Sequence, residues 1–265
     1  MAPVDFEIWT NHFEHHARHP RDLQTAPASR LSPDDRRHTA GSIATFQLGE
    51  RFRGRLLPPV AERFARARGI GGLLRIVELL VREEQRHAAL LLAYMTEQRI
   101  RIARADWSDP LLRRLSRRAG LEASLHVLIS ADLTAILCYR ALEKATSCPR
   151  LRVLCRVLAS DTLAHVGFES QLLLALRANR PSFDQARLRH AHRTVFIGTV
   201  GVAWLSHHRL LRRAGYGARS FLRACLSQYA FYLEPIDAGE SPRFVNGHPA
   251  SRAPTPTPAP RTVAA

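Results

Sequence analysis

Glu83-Glu84-Gln85-Arg86-His87 lies inside the run Leu73–Met95. At helical period the run places Leu73, Val77, Leu80, Leu91 and Tyr94 on one face, with Glu84 and His87 on the same stripe one turn apart. A carboxylate and an imidazole on an apolar face are costly unless something compensates them. An E-x-x-H pair facing a bundle core is how a helix offers an oxygen and a nitrogen to a metal ion. Alone, the tetrad reads better as a chance surface pair, because Glu and His are common in this chain. The surrounding helices change that balance.

Upstream, Gly69 and Gly71-Gly72 mark the turn into this helix, which fades near Arg101. An earlier long helix is expected to begin after Gly41, capped by Ser42, with Phe46, Gly49, Glu50, Arg53 and Leu57 along one face. Pro58-Pro59 ends or kinks it before Val60–Arg68 resumes. Downstream, residues 102–120 read as a long crossover. A third helix covers about 121–146, with Leu125, Leu128, Asp132, Ile136 and Tyr139 inward. A fourth opens at Pro149, a residue suited to a first turn, and carries Leu151, Leu154, Leu158, Asp161/Thr162, His165, Phe168/Glu169 and Leu172. Two more amphipathic helices are expected over 183–213 and 216–232.

This divides the chain into a lead-in over 1–40, a four-helix bundle over 41–178, additional C-terminal helices packed on it over 179–238, and a disordered Pro/Ala/Thr-rich tail over 239–265. The fold class is all-α. In the lead-in, Trp9–Arg18 reads as a short amphipathic helix. Its His12, His15, His16 and His19 stand at helical spacings that suit a metal or, more plainly, a partly exposed His-rich face. Asp35 and His38 read as a chance pairing in a loop.

Composition bounds the function. The 265 residues suffice for a sizeable core, and no run of about eighteen apolar residues is present; Val195–Leu205 comes nearest. The N-terminus has no secretory pattern, and Cys138, Cys148, Cys155 and Cys225 form neither a C-x-x-C nor a disulfide framework, so a cytoplasmic location is expected. The formal charge of +16 is almost all arginine, with Lys144 the single lysine. Those arginines are spread over every expected helix without a recognition motif, which disfavours nucleic acid as a partner.

Each of the four long helices places metal-competent groups on an apolar face: Glu50, then Glu84 with His87, then Asp132, then Asp161 or Thr162 with His165. Bundles that hold two metal ions take one carboxylate from each of two helices and an E-x-x-H from each of the other two. The chain supplies that order with one near miss. The segments Phe46–Glu50, Val81–His87, Asp132 with Tyr139–Thr146, and Leu151–Cys155 leading into Asp161–His165 resemble a bacterial branch of the ferritin-like superfamily, over about 41–178. The resemblance implies a four-helix bundle with a dinuclear iron or manganese site.

Two departures bear on that site. The third-helix ligand of the family is usually Glu, and here it is Asp132. The family's fourth helix usually reads D-E-x-x-H, and here Thr162 stands in the glutamate's place. A hydroxyl is a poor ligand for a divalent ion and cannot bridge two of them. Asp161 is rotated by about 100° around the helix from that position; in related bundles an acid there orients a histidine. Glu169, one turn beyond His165, is the substitute ligand at hand. The expected function is an iron- or manganese-dependent oxidase or oxygenase acting on an unknown small molecule with O2 or peroxide. The alternatives are a non-catalytic bundle that has lost its dinuclear site, and an iron-handling or nucleoid-associated protein. A homo-oligomer is compatible with each.

Overall fold

The computed structural model describes residues 4–21, 27, 29–53, 57–103, 120–178, 182–237, 244–245 and 248–249. These form eight helices: α1 (Phe6–Arg18), α2 (Pro33–Arg53), α3 (Pro58–Arg68), α4 (Gly71–Glu97), α5 (Leu121–Ala145), α6 (Pro149–Arg177), α7 (Ser182–Arg213) and α8 (Ala218–Asp237). A two-residue ladder pairs Phe244–Val245 with His248–Pro249 antiparallel. The rest of the tail over 239–265, and residues 104–119 of the expected crossover, lie outside the described residues.

The all-α class is as expected. Helices α2 and α4 pack together, as do α5 and α6, and the contacts α2–α5 and α4–α6 close a ring of four. Helix α7 lies against α5 and α2, α8 against α5, α6 and α7, and α3 bridges α4 and α5. The inward stripes are buried as periodicity predicts: Leu73, Val77, Leu80, Leu91 and Tyr94 on α4, Leu125, Leu128, Ile136 and Tyr139 on α5, and Leu151, Leu154, Leu158, Phe168 and Leu172 on α6. Among the described residues, only α5 is long and apolar enough to cross a membrane. Its apolar face is core, since 83% of its most apolar window is buried inside the protein.

Two expectations near the N-terminus are corrected. Helix α2 starts at Pro33, not after Ser42. Ser32 caps it by accepting the Asp35 amide at 3.0 Å, and Pro33 with Asp34 and Asp35 fills the first turn with residues that suit a helix N-terminus. Asp35 is therefore helical and buried; its Oδ2 accepts hydrogen bonds from the Ser147 amide at 2.9 Å, the Ser147 hydroxyl at 2.8 Å and the Thr146 hydroxyl at 3.2 Å. Ser42 sits mid-helix, its hydroxyl 3.0 Å from Nδ1 of His207 on α7.

Helix α1, read as part of an atypical lead-in, packs along α4. A Cβ at Gly72 would come within 3.1 Å of the Phe6 Cβ, so the glycine permits this approach. Trp9 and Phe13 are buried; the Trp9 indole donates to Gln171 on α6 at 2.8 Å, and the Phe13 ring lies 5.8 Å from the ring of His165. At the other end of α3, Gly69 takes the left-handed conformation (φ 68°) that closes the helix before α4 begins.

Candidate metal centre

The E-x-x-H pair of α4 faces inward. Glu84 and His87 are both buried, as are Glu50 on α2, Asp132 on α5, and Asp161, Thr162, His165 and Glu169 on α6. These eight residues of the four long helices thus lie in the interior, on helices that touch one another.

His87 is the hub. Its Nε2 lies 3.1 Å from Oδ2 of Asp161, and its Nδ1 lies 3.4 Å from Oε2 of Glu50. Burial alone would lower the pKa of this imidazole, but the carboxylates of Asp161 and Glu50 outweigh burial and raise it to about 9. Without a metal, His87 is therefore an imidazolium held between two acids. Glu50 is further fixed by Tyr139, whose hydroxyl donates to Oε1 at 2.6 Å.

His165 is held in the mirror sense. Its Nε2 lies 2.9 Å from Oε2 of Glu83 on α4. The pentads Glu83–His87 and Asp161–His165 each carry an acid four residues before a histidine, and each acid binds the histidine of the other helix. The two imidazoles stand 6.0 Å apart and nearly parallel, at 24°. Burial opposes the ionisation of Glu83, yet its contacts with His16 and His165 hold its carboxyl far below the usual range.

An outer layer surrounds these pairs. Nη2 of Arg86 reaches Oε1 of Glu83 at 2.7 Å and Oδ2 of Asp161 at 3.2 Å, while its Nη1 donates to the His16 carbonyl at 3.1 Å. Nη1 of Arg21 lies 3.6 Å from Oδ1 of Asp161, and Nδ1 of His16 lies 3.3 Å from Oε1 of Glu83. Ligand atoms of His16, Glu83 and Asp161 come within 4.8 Å of one another, a composition suited to a metal. The Arg86 guanidinium already bonds both of those carboxylates, so it is the cation of the outer cluster.

The inner face carries unsatisfied polar atoms. His165 Nδ1 and Thr162 Oγ1 are buried with no hydrogen-bond partner among the described residues. For Thr162 this is unusual in the molecule. The hydroxyls of Thr10, Thr39, Thr45, Thr96, Thr134, Thr194 and Thr199 each donate to the carbonyl four residues back, and that of Thr162 does not. A buried hydroxyl left off its own backbone, beside an unsatisfied imidazole nitrogen three residues on, is costly with nothing bound.

Several roles were not read from the sequence. Glu83 and Arg86 carry no role in the sequence reading, although the shared acid-x-x-x-His spacing of the two pentads is a usable signal, and His16 enters it only as one of the four histidines of α1. Tyr139 had been taken as a core residue and is also the hydrogen-bond donor to Glu50. Of the four histidines of α1, His16 contacts Glu83 of this centre and the ring of His12 lies 4.3 Å from that of His16; the rings of His15 and His19 lie 4.5 Å apart on the exposed side. Gly49, read on the same face as Glu50, is exposed, and a Cβ there would meet nothing within 4 Å among the described residues. Comparisons of the chain with protein-family models, with curated proteins and with solved structures found no match.

Proposed function

We propose that the chain is a ferritin-like metalloprotein of the carboxylate-bridged type, an iron- or manganese-dependent oxidase or oxygenase acting on a small molecule. The observation that carries this reading is the reciprocal pairing of two buried histidines with acids of the facing helix: Asp161 with His87 at 3.1 Å and Glu83 with His165 at 2.9 Å. Metal-binding histidines are oriented by a hydrogen bond from the second ring nitrogen to a carboxylate. Here both histidines have that bond, and both turn Nδ1 away from it.

The residues that would hold one or two ions are Glu50, Glu84, His87, Asp132 and His165. Glu169, buried one turn beyond His165, would be the replacement for the carboxylate that Thr162 lacks. With Glu169 the ligand set has four carboxylates, which balance two divalent ions; without it, one charge is uncompensated in a low-dielectric core. Iron or manganese held by carboxylates and imidazoles supplies redox chemistry with O2 or peroxide. The protein's part is positional. Asp161 and Glu83 fix the ring orientation of His87 and His165, Tyr139 fixes the Glu50 carboxylate, and Phe13 covers His165.

A second reading is supported by the metal-free charge balance. Protonated His87 and the guanidiniums of Arg86 and Arg21 compensate Glu50, Glu83 and Asp161 with no ion present. A bundle that has abandoned metal for structure or interaction would be arranged in this way. Elemental analysis of protein purified without chelator separates the two. Iron or manganese bound stoichiometrically supports the metalloprotein; protein that is metal-free as isolated and takes up neither Fe(II) nor Mn(II) anaerobically refutes it.

A further inference from the structure

Helix α7 is apolar on both sides. Its inner face buries His192, Phe196, Val200, His207, Leu210 and Leu211. Its outer face exposes Val195, Ile197, Val202 and Leu205, the last of them 73% exposed, with Gly198 and Gly201 between them. No charged residue occurs from Thr194 to Ser206. A helix packed on one side and facing water on the other normally carries polar residues outside. The remaining exposed large hydrophobics are scattered, except Leu222, which lies on α8 next to Phe221, whose ring is 6.2 Å from that of Trp204 on α7.

The charge around this face selects what covers it. From Gln185 to Ser227 the chain has no Asp or Glu, yet it carries Arg187, Arg189, Arg193, Arg209, Arg212, Arg213, Arg219 and Arg223. Arg187 precedes Leu205 by five helical turns and so lies on the same line of the helix, while Arg209 and Arg212 follow Leu205 by one and two turns. The face is thus an apolar centre with arginines at both ends. A second copy laid along it, parallel or antiparallel, would set arginine against arginine at each end. A partner helix needs a groove, and a Cβ built at Gly198 or Gly201 meets nothing within 4 Å, so no wall rises beside the face among the described residues. A lipid surface needs no groove, accepts apolar side chains at the acyl boundary, and pairs arginines with headgroup phosphates.

We propose that the outer face of α7, Thr194–Leu205 with its arginine ends, docks the protein on an anionic lipid surface. The docking is peripheral, and it stands independently of the metal reading. Co-sedimentation of the full chain with vesicles of phosphatidylcholine containing about 30% phosphatidylglycerol tests it, against pure phosphatidylcholine. Binding to the anionic vesicles alone is expected, weakened about tenfold by Leu205→Asp or Val202→Asp. Both positions are exposed, and an unchanged thermal midpoint certifies each variant's fold. The proposal is overturned by absence of binding. It is equally overturned by binding that both aspartate variants retain in full, which marks general adsorption of a basic protein. A lipid-free dimer that Leu205→Asp dissociates would show instead that a second copy covers the face.

Discussion

Nε2 of His87 lies 3.1 Å from Oδ2 of Asp161 on the facing helix, and both side chains are completely buried. Removing the charge of Asp161 leaves a buried imidazolium short of one of its two carboxylates, leaves Arg86 with Glu83, and takes from Arg21 its contact with Asp161. Asp161→Asn should therefore lower stability at neutral pH by about 3 kcal/mol, read from urea unfolding of metal-free protein. The same variant should lower metal affinity about tenfold, because the imidazole loses the bond that orients it. An Asp161→Asn protein as stable as wild type would show that the pair holds nothing in place.

Asp35 joins the start of α2 to the α5–α6 turn through three hydrogen bonds to one oxygen. Burial works against its ionisation, but the bonds from Ser147 and Thr146 prevail and keep its carboxyl below the usual range. Asp35→Ala should cost about 2 kcal/mol by leaving the Ser147 amide without its acceptor, and Asp35→Asn, which still accepts, should cost less. Equal losses in the two variants would assign the effect to the helix terminus rather than to the turn.

The difference between these residues shows what was legible. Glu84, His87, Asp132 and His165 could be placed inward from the sequence, because an apolar stripe at helical period fixes a direction for every residue on it. Glu83 sits about 100° away from Glu84 around the helix, and two adjacent glutamates leave open which one points to which neighbour. Its partner His165 is 82 residues distant, so only the packing of α4 on α6 identifies it. The start of α2 was legible in Ser32-Pro33-Asp34-Asp35, a capping residue followed by proline and two acids, but Gly41-Ser42 offered a competing cap. The tertiary role of Asp35 had no local signal at all.

His192 tests the electrostatics of the core away from the candidate metal centre. Burial, and then the positive charge of Arg177, push its imidazole down to about 3, and its ring stacks on that of His126 at 4.1 Å. A histidine whose folded pKa lies below its unfolded value near 6.5 takes up a proton more readily when unfolded. Its contribution is therefore full above about pH 6.5 and is lost as pH falls from there toward 3. His192→Phe should flatten the fall in thermal midpoint between about pH 7 and pH 5 while keeping the stacked geometry. Parallel profiles for wild type and variant would mean that other groups set the acid limit.

Thr162 is the position where the metal reading can be turned from loss to gain. Its hydroxyl is buried and off its own backbone, three residues before His165 on α6, where the E-x-x-H pattern calls for a glutamate. Thr162→Glu should raise bound iron or manganese from about one toward two ions per chain, by supplying a bridging carboxylate and a further negative charge. Without metal that glutamate would join Glu50, Glu84 and Asp132 in a buried acidic cluster, so the metal-free variant should unfold at lower urea than wild type. Added metal should reverse the deficit, since an ion that binds only the folded state stabilises it by mass action. Glu169→Gln supplies the converse: if wild type already holds two ions and this variant falls to one, Glu169 is the missing carboxylate and Thr162 need not be replaced. A Thr162→Glu protein that gains no metal and is merely destabilised would show that the interior has closed, and that the paired histidines now serve the fold alone.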